Sequence, residues 1–224
     1  YLIKKASFDL INLAKAKDFN QLLSGLKGSI YHDIIKDVTV LENGQVDFTE
    51  CEMKLRSYYQ NYIYELANKG FKGQDRNQLL NIFKVQSDLI NIINIYRMKE
   101  YFKMSEEDML KNILAVKGRL STETEQALLT APNIDTFMKV LSKTSYGKGL
   151  EGMKEFEAIY FENKLSRLRS RMSKRALATS QSAAVSLYCA MYLLEVEINN
   201  IILIIEGIRY EKPQSYLEEL IIYN

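Results

Sequence analysis

Two stretches of this chain carry nearly the same text: Asp88-Leu89-Ile90-Asn91-Ile92-Ile93-Asn94-Ile95, and Glu197-Ile198-Asn199-Asn200-Ile201-Ile202-Leu203-Ile204. The match extends toward the N-terminus, where Leu22, Leu23 and Leu26 followed by Tyr31 reappear as Phe137, Met138 and Leu141 followed by Tyr146. The chain therefore reads as an internal duplication. A period of about a hundred residues is too long for a solenoid repeat and predicts two related lobes built on one plan.

The plan is helical. Two prolines and ten glycines punctuate 224 residues, and between them apolar positions recur at the spacing of one helix face. The predicted helices run over 8–16, 19–28, 50–69, 75–101, 105–115, 122–130, 134–143, 153–176, 180–209 and 214–222. Thr49 with Glu52 and Thr122 with Glu125 have capping-box spacing, Ser105 with Asp108 is a weaker version, and Pro213 suits a first helical turn. Only Thr39 to Phe48 departs, where Asn43-Gly44 between short β-prone runs signals a hairpin or a plain loop. The fold class is all-α, with two pseudo-repeated helical-bundle lobes at residues 1–116 and 117–224.

A formal charge of +2 gives no molecule-wide field for nucleic acid or acidic lipid, so an electrostatic partner must meet a local patch. Cys51 and Cys189 form neither a CxxC pair nor a metal spacing and read as reduced, buried thiols. The apolar run from Ala183 to Leu194 is followed by Glu195, Glu197, Asn199 and Asn200, an interruption that argues against a membrane span of about 20 residues. Lys4, Lys5 and Asp9 likewise break any signal-peptide core. The expected location is the cytoplasm.

Gly147-Lys148-Gly149-Leu150-Glu151-Gly152 matches a dinucleotide fingerprint, but a helix-like stretch precedes it and basic residues follow where an acid should hold the ribose. It reads as an interhelical turn. His32 beside Asp33 could form a general base, yet no nucleophile is marked out near it, and the second copy has Gly147 in its place. No catalytic residue, cofactor, metal or small-molecule substrate is read from the sequence. Lys164, Arg167, Arg171, Lys174 and Arg175 line one side of a helix, as a grip for an acidic partner or as a solvated face; no aromatic residues interleave them, which disfavours nucleic acid. Asp88 with Asn91 and Glu197 with Asn200 share a face within apolar helix and read as a polar network tying helices together.

The paired motifs Asp88-x-x-Asn91 and Glu197-x-x-Asn200, the sequence Gly207-Ile208-Arg209-Tyr210, and the leucine-rich helix pairs ending at Tyr31 and Tyr146 carry a resemblance. The chain resembles the C subunit of archaeal and bacterial V-type (A-type) rotary ATPases, equivalent to the d subunit of the vacuolar enzyme. The resemblance covers most of the chain and departs from the family's Glu-x-Arg-Asn pattern at Ile90 and Asn199. It implies an all-helical funnel of three pseudo-equivalent lobes, of which this chain holds two. It also implies a non-catalytic coupling subunit at the cytoplasmic face of the membrane, with the central stalk and the membrane rotor ring as partners. The basic residues Lys164 to Arg175 and the turns at Tyr31 and Tyr146 are the expected partner surfaces, and Asp88, Asn91, Glu197, Asn200, Arg209 and Tyr210 the expected structural motif. The other reading is a cytosolic helical scaffold that binds a partner helix between its lobes.

Overall fold

The computed structural model describes residues 9–40, 45–114, 117–150 and 158–223. Its helices are α1 (Leu10–Leu13), α2 (Phe19–Leu26), α3 (Ile30–Ile35), α4 (Phe48–Gly70), α5 (Gly73–Glu100), α6 (Glu106–Lys111), α7 (Thr122–Leu129), α8 (Ile134–Ser142), α9 (Ala158–Thr179), α10 (Ala183–Arg209) and α11 (Gln214–Leu220), with a 3-10 turn at Gly147–Leu150. Every regular element among the described residues is a helix, as the apolar periodicity predicts. The Asn43-Gly44 turn lies outside the described residues, and its flanks are joined by an isolated antiparallel bridge between Val40 and Val46.

The helices start where a short polar side chain can accept an otherwise unpaired backbone N–H. Asp47 accepts from the amide of Glu50 and Ser121 from that of Thr124, so each cap lies N-terminal to the threonine that the capping-box spacing suggests. A nearer acceptor satisfies the first turn in both cases. Pro213 is the cap residue of α11 and precedes its first turn. The helix α3, absent from the sequence reading, is capped by Ser29 but has only six residues, too few to show a period.

The largest apolar core forms where the second half of the chain packs on α5. Leu89, Ile92, Ile95 and Tyr96 of α5 meet Leu128, Phe137, Leu141, Phe161 and Leu165 from α7, α8 and α9. Tyr96 stacks on Phe161 with ring centroids 4.3 Å apart, and Phe137 lies tilted against both. Each buried ring contributes about 1.5–3 kcal/mol through burial alone, which makes this aromatic trio the main clamp between α5 and α9. The core thus straddles residues 116 and 117. A second cluster joins α4, α5 and α10 through Ala67, Leu79, Phe83, Val185 and Cys189, and a third joins α2, α3 and α4.

The helix α10 matches the helix predicted over 180–209. It runs unbroken through Glu195 to Asn200, since glutamate and asparagine do not end a helix, and by length and composition alone it is apolar enough to cross a membrane: mean hydropathy 1.5 over a window only 11% buried. Among its exposed apolar residues, Leu187, Met191, Leu194, Ile198, Ile201, Ile205 and Ile208 recur at alternating steps of four and three, and Ile202 and Ile204 are exposed beside them. That spacing is the seam of a helix that pairs with another helix.

Candidate functional site

The most elaborate polar site joins the two halves of the chain. Asp88, buried on α5, accepts at Oδ2 from the backbone amides of Arg119 and Leu120 at 2.7 and 3.1 Å and from the Tyr146 hydroxyl at 2.6 Å. Gly118 makes this approach possible: a Cβ there would lie 1.6 Å from Asp88 Oδ1. Burial pushes the Asp88 carboxyl above its ordinary range, and its three donors pull it back. The same burial, reinforced by the bond to Asp88, pushes the Tyr146 hydroxyl far up, so it remains a proton donor.

One turn further along α5, Asn91 closes a two-point clasp on the backbone of Leu114. Its Oδ1 accepts from the Leu114 amide at 2.7 Å and its Nδ2 donates to the Leu114 carbonyl at 3.3 Å. Asn200 on α10 repeats the clasp on Ile222, at 3.0 and 2.9 Å. The two asparagines, matched by sequence, therefore play one role, each holding the chain that follows a short helix, α6 or α11, against its long helix. Glu197 departs from its counterpart Asp88, because it is exposed and makes no hydrogen bond or ion pair among the described residues.

The expected partner surfaces divide. Tyr146 is only 3% exposed and spends its hydroxyl on Asp88, so it is no exposed turn; the fold buries it between the halves. Tyr31, on α3, is 40% exposed. On α9, Arg171 and Arg175 are exposed, while Lys164 and Lys174 are half-buried. Arg167 donates through Nη2 to the carbonyls of Glu219 and Ile221, at 2.6 and 2.9 Å, and so closes the C-terminus of α11. Asn163 donates to the Leu220 carbonyl beside it. Arg209 sits 5.4 Å from the ring centroid of Tyr210, and both are exposed.

Two further joints escaped the sequence reading. Arg97 of α5 holds Glu162 of α9 with two parallel bonds of 2.5 and 2.6 Å, and Lys99 Nζ donates to the carbonyls of Leu129 and Ala131 at the end of α7. Each partner is far away in sequence, so spacing gives no signal; the lone Gly118 at the repeat boundary was the available hint for the Asp88 site. Gly147 follows a helix, which is the wrong context for a dinucleotide loop, and Glu151 and Gly152 lie outside the described residues. His32 lies half-buried on α3 with Nδ1 3.4 Å from Asp33. No cluster of metal-ligating side chains occurs among the described residues.

The profile of the family described as ATP synthase (C/AC39) subunit matches residues 2–220. The chain is similar to the C subunit of the A-type ATP synthase of Methanosarcina mazei, 23% identical over 168 residues that make up 75% of this chain and 43% of that protein. It is similar at the same identity and coverage to the C subunit of the A-type ATP synthase of Methanosarcina barkeri. The matched stretch is thus less than half the length of either relative. No solved structure gives a significant match.

Proposed function

Because this chain belongs to the ATP synthase (C/AC39) subunit family, we propose that it is the coupling element of an A/V-type ATP synthase, linking the central stalk to the membrane rotor ring at the cytoplasmic face. Such an element is a non-catalytic subunit of the complex. It has to pass torque from one partner to another without bending. What supports the role here is the continuity of joints along the long helices: the Tyr96–Phe161 stack, the Arg97–Glu162 pair and the Asp88–Tyr146 bond all cross between halves of the chain. A displacement of one half then moves the other, because packed and hydrogen-bonded helices shear at a high energetic cost. Residues 1–116 and 117–224 serve in this reading as two lobes of the coupling body. The exposed cations Arg171 and Arg175, with Lys164 and Lys174 beside them, are the face offered to an acidic partner.

The single observation that carries the proposal is the family match over residues 2–220. Its test is native mass spectrometry of the affinity-tagged chain recovered by gentle detergent extraction from its source membranes. Central-stalk and rotor-ring subunits bound in fixed stoichiometry are the expected result. Recovery of the chain alone, or with unrelated cytosolic proteins, would overturn it in favour of a helical scaffold.

A further inference from the structure

A cleft of about 340 Å³ opens between α5 and α9 beside the start of α10. Its floor is apolar and lies where two of the core clusters meet: Met172 packs on the edge of one, and Ile82 and Val185 belong to the other. The charge around it has a single sign, since Arg175 lines the cleft and no acidic residue does. Arg175 is exposed, and its guanidinium makes no hydrogen bond or ion pair among the described residues. Two amides face the same space, Gln78 and Asn81. The first is oriented by its neighbours. Ser180 Oγ accepts from the Ser182 amide at 3.1 Å and donates to Gln78 Oε1 at 2.7 Å, so the oxygen of Gln78 is occupied while its two N–H groups stay unbonded.

We propose that this cleft receives an acidic side chain of a partner protein, its carboxylate on Arg175 and an apolar residue next to it in the partner's sequence seated on Ile82, Met172 and Val185. A guanidinium fork matches the two oxygens of a carboxylate, and the amide N–H groups of Gln78 and Asn81 supply donors for the lone pairs that remain. One cation balances the single charge of a carboxylate; a phosphate dianion calls for more than one. An apolar floor beside a few oriented polar groups is the general make-up of a recognition cleft. Arg171 lies one turn before Arg175 on the exposed face of α9 and continues the positive surface beyond the cleft, which suits an acidic segment of a protein better than a small free acid. This inference rests on the reading of α9 as the face offered to an acidic partner, and it adds the point of anchorage and the residue types that anchor.

The test is a titration of the isotopically labelled full chain with acetyl-leucyl-glutamate amide, followed through the side-chain amide NMR signals of Gln78 and Asn81. Saturable shifts of both are expected. Binding should weaken about tenfold or more when the probe carries glutamine for glutamate, when it carries glycine for leucine, and when the protein carries Arg175→Gln. That substitution puts another good helix former at an exposed position, and an unchanged backbone spectrum shows that the fold is kept. Arg171→Gln should leave the titration as it is, because Arg171 does not line the cleft. The proposal is overturned by any of four results: no saturable shift, equal binding of the glutamine probe, equal binding by Arg175→Gln, or equal weakening by Arg171→Gln, which would reduce the effect to diffuse charge. Displacement of the probe by inorganic phosphate at lower concentration than by acetate would also overturn it and assign the cleft to a phosphate. Recovery of synthase subunits with a chain that does not bind the probe would strike the cleft and leave the coupling role standing, so the two readings fail separately.

Discussion

The hydroxyl of Tyr146 donates to Oδ2 of Asp88 at 2.6 Å, joining residues 58 positions apart at the junction of the two repeats. Both side chains are buried there, so neither can exchange its partner for water. Removing one leaves the other unsatisfied in a low-dielectric site. The Tyr146→Phe variant keeps the ring and removes only the donor. It should lose about 1–3 kcal/mol in urea unfolding at neutral pH, and a loss near zero would show that the bond contributes nothing.

Asp88 also predicts the sign of a pH effect. Burial raises its folded-state value above the ordinary 3.8, so the folded protein binds a proton more readily than the unfolded chain does. Protonation then favours folding: the penalty for burying the charge is present above the folded value and is relieved as pH falls through it toward 3.8. Asp88→Asn has no such proton to bind. The stability difference between the natural chain and Asp88→Asn should therefore shift in favour of the natural chain between neutral pH and pH 4. Parallel urea titrations at the two pH values measure it, and a shift of the opposite sign would mean that the donors outweigh burial.

The two asparagine clasps differ in burial, which gives a graded prediction. Asn91 is buried and Asn200 half-buried, although both hold a backbone amide and carbonyl in the same way. Replacement of either by leucine strands two backbone groups, at about 1–3 kcal/mol. Asn91→Leu should lie at the upper end of that range and Asn200→Leu at the lower, where water can reach the freed groups. Equal losses would contradict the role of solvent access.

The repeat made these asparagines legible in the sequence, because a polar residue that recurs at one place in two apolar helices has to serve the same local geometry. Helix class and the extents of the long helices were legible for the same reason, through periodicity, whereas the four- and six-residue helices α1, α3 and α6 are too short for a period to fix them. The fate of Tyr146 was not legible: Tyr31 and Tyr146 occupy matched positions, yet Tyr146 is buried against Asp88 of α5 while Tyr31 is 40% exposed, and the pattern within each repeat does not distinguish them. Arg167 likewise looked like one of five surface cations. Its carbonyl partners at Glu219 and Ile221 come from the far end of the chain, and no local spacing reports them.

Cysteine accessibility follows from the same packing. Cys189 is fully buried between α5 and α10, Cys51 only half-buried on α4, and burial pushes both thiols up. A disulfide-exchange reagent should modify Cys51 in the folded protein and reach Cys189 only when the α4–α5–α10 cluster opens. Peptide mapping after timed labelling distinguishes them, and early labelling of Cys189 would show that this cluster opens locally.

Arg167 should separate from its neighbours on α9 when charges are reversed one at a time. Its guanidinium closes the carbonyl end of α11, so Arg167→Glu removes two charge-assisted bonds and sets a carboxylate against two carbonyl oxygens. A stability loss of about 2–3 kcal/mol is expected. Arg171→Glu and Arg175→Glu alter exposed groups and should leave stability within about 0.5 kcal/mol. If the basic face meets an acidic subunit of the synthase, these two variants weaken recovery of that subunit in the co-purification while remaining folded. Unchanged recovery with both reversed would remove the α9 cations from the interface and leave Arg167 with a purely structural role.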